Sequence, residues 1–265
     1  MTVVPLQYRF DGPRNAPVVV LIPALGAKWS MWEPQMPELT RSLRVLRVNH
    51  RGHGDSPAPS GAYSLQELGG DLLSLVDHCE LEQVSVVGAG LGAMVGLWAA
   101  AAEPSRVTRL ALMSSTSWAP RDHRWRRLAA EARASGTVGV SDAVTRSWFT
   151  PLFREQRPDI VSRFVEEFER VGSDGYAGCC DAVSDLDHRA MAAKVQAATL
   201  VVSAAHDPET PPGHGRRLAR AIPGARFELV NGAAHLANIE RSDRVNDLLM
   251  SHLAPARLFP DSDQF

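Results

Sequence analysis

Six short apolar runs rich in β-branched residues recur along the chain, at residues 18–22, 45–48, 84–87, 110–113, 200–203 and 227–230. They are predominantly apolar and not strictly alternating, which is the pattern of strands covered on both faces, and helix-compatible stretches separate them. The combination predicts an α/β protein with a mostly parallel central sheet and crossover helices. Residues 3–10 predict a further, antiparallel edge strand. From about Trp118 to Arg189 the pattern changes to charged, helix-compatible sequence with no strand-like run, as expected of an inserted helical cap. The expected organisation is a first core part over 1–117, a cap over 118–190, a second core part over 191–254, and a loosely held tail over 255–265.

Composition narrows the function classes. With 265 residues, 45% of them hydrophobic and 22% charged, the chain can bury one large core. A formal net charge of -2, with no long block of one sign, argues against a nucleic-acid partner. The positive excess from Arg121 to Arg127 reads as a solvated helix face. Residues 17–23 are too short, and 84–101 too rich in glycine and alanine, for a membrane span. No basic segment followed by an apolar run opens the chain, so a cytoplasmic location is expected. Cys79, Cys179 and Cys180 lack zinc-ligand spacing and form no even framework, so they read as buried thiols in a reducing compartment, with no metal site.

The chemistry concentrates after the third run. Val84-Ser-Val-Val-Gly88-Ala-Gly90-Leu-Gly92-Ala-Met94 is a strand, a glycine-spaced turn and the start of a small-residue helix. In a nucleophile elbow, flanking glycines let a strained strand-to-helix turn close and the residue between them projects above the sheet. Gly88 and Gly92 fit the flanks, and Gly90 stands at the tip. The competing dinucleotide fingerprint finds its third small residue in Ala93 but lacks the acidic residue about 20 positions on, since Glu103 comes too early. Asp207 ends a buried strand in an acidic turn, and His235 lies in a loop after the next one. The order elbow, acid, histidine is that of a hydrolase triad.

The chain resembles the 3-oxoadipate enol-lactonase group of α/β-hydrolases from about Leu6 to Leu253. The resemblance is carried by Leu25-Gly26, Met31-Trp-Glu-Pro-Gln35, Arg51-Gly-His-Gly-Asp-Ser56, Tyr63-Ser-Leu65, Trp148-Phe-Thr-Pro151 and Gly175-Tyr-Ala-Gly-Cys-Cys180. It implies the α/β-hydrolase fold and an oxyanion hole made by the N–H groups of Leu25 and Leu91. Two departures stand out. Pro23-Ala24 replaces the His-Gly of many relatives, and Ser184 stands where the family has an arginine, which weakens the case for an anionic lactone. Trp29, Trp32, Trp98, Trp118, Trp125, Trp148 and Tyr176 are the aromatic candidates, with Trp29, Trp148 and Tyr176 the expected pocket residues.

An acyl-enzyme needs an oxygen or sulfur nucleophile, and Gly90 supplies neither. Ser115 is the least implausible replacement. What remains is a His235–Asp207 dyad beside two N–H donors, a set able to move protons without a covalent step. The expected function is cofactor-free proton-transfer chemistry on a small cyclic or lactone-like molecule: elimination, decarboxylation, isomerisation, cyclisation or direct attack by water. Two alternatives stay open: a non-catalytic ligand-binding relative, and an enol-lactonase-like hydrolase whose nucleophile was deliberately replaced.

Overall fold

The computed structural model describes residues 3–119 and 123–253. Seven strands form one sheet: β1 (Tyr8–Asp11), β2 (Val18–Ile22), β3 (Arg44–Val48), β4 (Val84–Ala89), β5 (Val107–Met113), β6 (Ala198–Ala204) and β7 (Arg226–Val230). Their spatial order is β1-β3-β2-β4-β5-β6-β7. β1 is antiparallel to β3, and every other pairing is parallel. The helices, in chain order, are α1 (Met36–Leu39), α2 (Leu65–His78), α3 (Leu91–Ala102), α4 (Arg124–Thr145), α5 (Pro151–Gln156), α6 (Pro158–Glu169), α7 (Ser173–Ser184), α8 (Arg189–Ala192), α9 (Pro212–Ala221), α10 (Ala237–Glu240) and α11 (Ser242–Leu253).

The apolar runs become central strands for the reason their pattern suggested. Val86, Val87, Leu110, Ala111, Leu112, Val201 and Val202 are all buried, so consecutive side chains are covered on both faces of the sheet. The edge strand is shorter than its sequence implies. Val4 and Gln7 turn their N–H groups to the side chains of Asp71 and Ser56, at 2.9 and 2.8 Å, so pairing with β3 begins only at Tyr8. Asp71 also takes Arg51 Nε at 2.6 Å and Nη2 at 2.8 Å in an almost fully buried ion pair. α2 starts at a capping box in which Ser64 and Glu67 satisfy each other's backbone N–H groups.

Helices α4 to α7 lie between β5 and β6. α4 packs extensively on α7 and on α6, and is broken at Gly136 (φ 75°). A backbone bridge between Trp118 and Asp187, with His188 N–H donating to Ser117 O at 2.7 Å, ties together the two strands of chain at the base of this helical layer. The expected tail over 255–265 lies outside the described residues, as do residues 120–122. Among the described residues no helix is long and apolar enough to cross a membrane, and no group of three or more His, Cys, Asp or Glu is placed to hold a metal ion.

Candidate active site

Four loops at the carboxyl ends of parallel strands converge, the place where open α/β sheets bind ligands. They carry Leu25 after β2, Gly90 after β4, Asp207 after β6 and His235 after β7.

The turn at Gly90 is tight because its flanks have no side chains. A Cβ on Gly88 would strike the backbone of Gly92, and a Cβ on Gly92 would strike the carbonyl of Ile22. Gly90 sits at φ 51°, ψ −117°, a conformation that strains any residue with a Cβ. Its N–H donates to Met113 O at 3.0 Å, and Gly92 N–H donates to Pro23 O at 3.1 Å, so the elbow is locked to both neighbouring strand ends. A Cβ built on Gly90 would lie 3.0 Å from His235 Nε2 and 3.4 Å from Ala24 Cβ. The imidazole therefore faces the elbow tip, crowded against the place a side chain would fill.

His235 is held from three directions. Its Nδ1 bonds Asp207 Oδ2 at 2.9 Å, and its carbonyl accepts from Ser114 Oγ at 2.8 Å. Glu240 anchors the loop by accepting from Ala234 N–H at 2.8 Å while also taking the hydroxyl of Thr150 at 2.7 Å. Asp207 is saturated: Oδ1 accepts from the N–H groups of Glu209 and Thr210 at 2.8 and 3.0 Å, and Oδ2 from the Thr210 hydroxyl at 2.7 Å. Burial opposes the charge on both members of the dyad. For His235 the Asp207 carboxylate overrides it, through charge and hydrogen bond, and raises the imidazole to about 9. For Asp207 the His235 partner and the Thr210 donors override it and bring the carboxyl down to about 2. The pairing thus favours the protonated imidazole and the ionised carboxylate.

The loop after β2 keeps its shape despite Pro23-Ala24. His50 Nε2 donates to Pro23 O at 2.8 Å, and Gly26 N–H donates to His53 Nε2 at 3.0 Å. Burial lowers His53 to about 3, so its Nε2 stays an acceptor. Among the described residues neither Leu25 N–H nor Leu91 N–H has a protein acceptor. Both residues border a narrow cavity of about 30 Å³ together with Gly90, His235, Trp148 and Tyr176. A buried water needs roughly 10 to 15 Å³, so this space holds about two.

Of the expected pocket residues, Trp29 is not at this cavity. It opens a 3-10 turn over Trp29–Gln35, with its N–H bound to Asn49 Oδ1 at 2.8 Å, and is drawn toward the β3 end. Trp125 takes an aromatic place in the wall. Ser115 does not reach the cavity lining; its hydroxyl points at Gly90 O, 3.2 Å away. Ser114 does line it, in a left-handed conformation (φ 46°), but its hydroxyl is committed to the His235 carbonyl. Sequence reasoning missed Ser114 and Glu209 as cavity residues. Glu209, two positions beyond Asp207, carries the signal that would have found it, since a turn that points one residue into a site also places its near neighbours there.

A larger cleft of about 480 Å³ opens elsewhere, between Phe149, Phe153, His206 and Arg241; it does not contain the dyad.

The family profile described as alpha/beta hydrolase fold matches residues 17–242. The chain belongs to the α/β-hydrolase fold family. The chain is 29% identical over 243 residues to 3-oxoadipate enol-lactonase 2 of Acinetobacter baylyi, covering 92% of this chain and 91% of that one. It is 27% identical over 252 residues to the putative carbamate hydrolase RutD of Klebsiella pneumoniae subsp. pneumoniae, covering 91% and 92%. The crystal structure of the enol-lactonase from Burkholderia xenovorans LB400 superposes on this chain with a TM-score of 0.92 at 36% identity, covering 94% of this chain and 96% of that one.

Proposed function

We propose that this α/β-hydrolase is an enzyme without a nucleophile of its own, moving protons on a small cyclic or lactone-like substrate with His235, Asp207 and two backbone donors. The observation that carries the reading is the pairing of a side-chain-free elbow with an intact dyad: His235 Nε2 lies 3.0 Å from the Cβ position of residue 90 while Nδ1 keeps Asp207 at 2.9 Å. The names of similar proteins, enol-lactonases among them, support the substrate class.

In this reading the substrate carbonyl accepts from Leu25 and Leu91 N–H. Neutral His235 Nε2 takes a proton from the carbon beside that carbonyl, and the electron pair moves onto the oxygen as an enolate held by the two donors. The imidazolium then returns the proton at another carbon, giving isomerisation, or to a departing group, giving elimination. For direct hydrolysis, His235 takes the proton of a water as it attacks. Asp207 orients the ring and offsets its charge, and Trp148 and Tyr176 wall the substrate. These groups need no cofactor for such steps. Residues 118–190 act as the cap over the cavity, supplying Trp148 and Tyr176 to its wall. We place the enzyme in the cytoplasm, in keeping with its free cysteines.

The test uses α-angelica lactone, a neutral enol-lactone, in D₂O, with NMR following deuterium uptake and double-bond migration. Exchange well above the buffer rate, lost in His235→Asn, is the expected result. An unchanged rate in His235→Asn, or no exchange by the wild-type protein, sinks the proposal. Because Gly90 removes the usual nucleophile, a pure ligand-binding role is the second reading, favoured if the lactone binds and emerges unexchanged.

A further inference from the structure

Glu209 is a buried charge that the dyad chemistry does not use. Its side chain is 8% exposed and borders the same cavity as Gly90 and His235. Oε1 accepts from Arg124 Nη2 and from Ser147 Oγ, both at 2.7 Å. Oε2 has no protein donor among the described residues. Tyr176 borders the cavity too: it is fully buried, and its hydroxyl has no oxygen or nitrogen partner among the described residues, only the Cys180 thiol beside it. Burial holds that hydroxyl in its protonated, donating form. An ion pair that merely fastens the turn after β6 to α4 accounts for Oε1. It leaves a carboxylate oxygen and a buried phenol at one cavity without a protein oxygen or nitrogen partner, available to a ligand.

Two ion pairs stand at or beside the cavity, His235 with Asp207 and Arg124 with Glu209, and Arg124 itself does not line it. A carboxylate brought into this space would lose its water and meet the Glu209 carboxylate. The position where the enol-lactonase resemblance implies an arginine is Ser184, whose hydroxyl turns back to Asp181 O at 2.7 Å.

We propose that Glu209 and Tyr176 select the substrate: Glu209 Oε2 accepts from a hydroxyl or N–H of the ligand, Tyr176 donates to a ligand oxygen, and the site takes uncharged hydroxy- or amino-carbonyl compounds in preference to carboxylates. The inference rests on reading this cavity as the substrate site.

Three matched probes test it by calorimetric titration without turnover: α-hydroxy-γ-butyrolactone, γ-butyrolactone, and 5-oxotetrahydrofuran-2-carboxylate. The wild-type protein should bind the hydroxylated lactone about tenfold more tightly than the plain one, the discrimination a charged acceptor supplies, and the carboxylate most weakly. Glu209→Leu should erase the preference for the hydroxyl. Glu209→Gln, which keeps shape and an acceptor, should retain that preference and bind the carboxylate several-fold more tightly than wild type. Tyr176→Phe should weaken all three lactones alike. The proposal is overturned if the carboxylate binds wild type most tightly, if folded Glu209→Leu keeps the hydroxyl preference, or if no probe saturates. Should Glu209→Leu fail to fold, an unchanged carboxylate affinity in Glu209→Gln overturns it. A protein that binds in the expected order yet converts nothing would refute the proposed reaction and leave this selectivity standing.

Discussion

Restoring a side chain at the elbow tip separates strain from chemistry. Gly90 sits at φ 51°, ψ −117°, where a residue with a Cβ is strained by about 1 to 3 kcal/mol. The new Cβ would also lie 3.0 Å from His235 Nε2 and 3.4 Å from Ala24 Cβ, so the imidazole has to retreat by a few tenths of an ångström. Against this, replacing glycine stiffens the unfolded chain by about 0.4 to 1 kcal/mol, so Gly90→Ala should be less stable than wild type by roughly 0.5 to 2.5 kcal/mol. At about 2 to 4 °C per kcal/mol for a chain of this size, the melting temperature falls by a few degrees. Gly90→Ser carries the same strain, but its Oγ stands within reach of His235 Nε2 and the two free N–H groups. Mixed rapidly with p-nitrophenyl acetate, Gly90→Ser should release a burst of up to one p-nitrophenolate per protein, whereas wild type and Gly90→Ala show none. A Gly90→Ala protein as stable as wild type would refute the strain argument, and a burst from wild type would refute the absence of a nucleophile.

The flanking glycines answer differently, because a Cβ on Gly92 meets the Ile22 carbonyl, which cannot move aside; Gly92→Ala should lose more than about 3 kcal/mol or fail to accumulate, as read by urea unfolding. Asp71→Ala takes from Arg51, 2% exposed, its buried carboxylate and should cost about 3 to 5 kcal/mol by the same measurement. The dyad imposes a pH window. His235, raised from 6.5 to about 9, lends stability that is complete below about 6.5 and lost as pH climbs through 9, while Asp207, lowered from 3.8 to about 2, lends stability complete above 3.8 and lost toward 2. Both partners report one interaction, worth roughly 3 kcal/mol from the His235 shift at about 1.4 kcal/mol per pH unit. Urea midpoints should therefore drop between about pH 6 and about pH 9 in wild type and stay flatter in His235→Asn; equal slopes would refute the assignment. If His235 acts as the base, lactone exchange should rise with pH up to about 9; a rate falling over that range would assign the work to the imidazolium.

Much of this was legible in the chain because buried strands and glycine turns leave strong local signatures. The apolar runs located all six parallel strands, and the spacing of Gly88, Gly90 and Gly92 located the elbow, since each reflects a steric demand at one place. Asp207 and His235 followed from their order after strand ends. What the pattern did not carry depends on partners distant in sequence. Residues 3–7 have strand-like sequence, yet their backbone is claimed by Asp71 and Ser56, 67 and 49 positions away. Trp29 looked like a pocket aromatic until Asn49 fixed its backbone elsewhere. For Glu209 the sequence offered only its place two positions beyond Asp207, because the fold is what brings Arg124 and Ser147 to one of its oxygens.

The turn around Gly90 is shaped by its flanks and by hydrogen bonds from its own backbone, none of which involves a side chain at the tip. Scaffold and reactivity are thereby uncoupled at a single position. A glycine codon ending in a pyrimidine becomes a serine codon by one base change, so the step from glycine to serine at such a tip is short, and the surrounding turn is already shaped to hold either residue. A lineage could exchange glycine and serine here in either direction without passing through an unfolded intermediate.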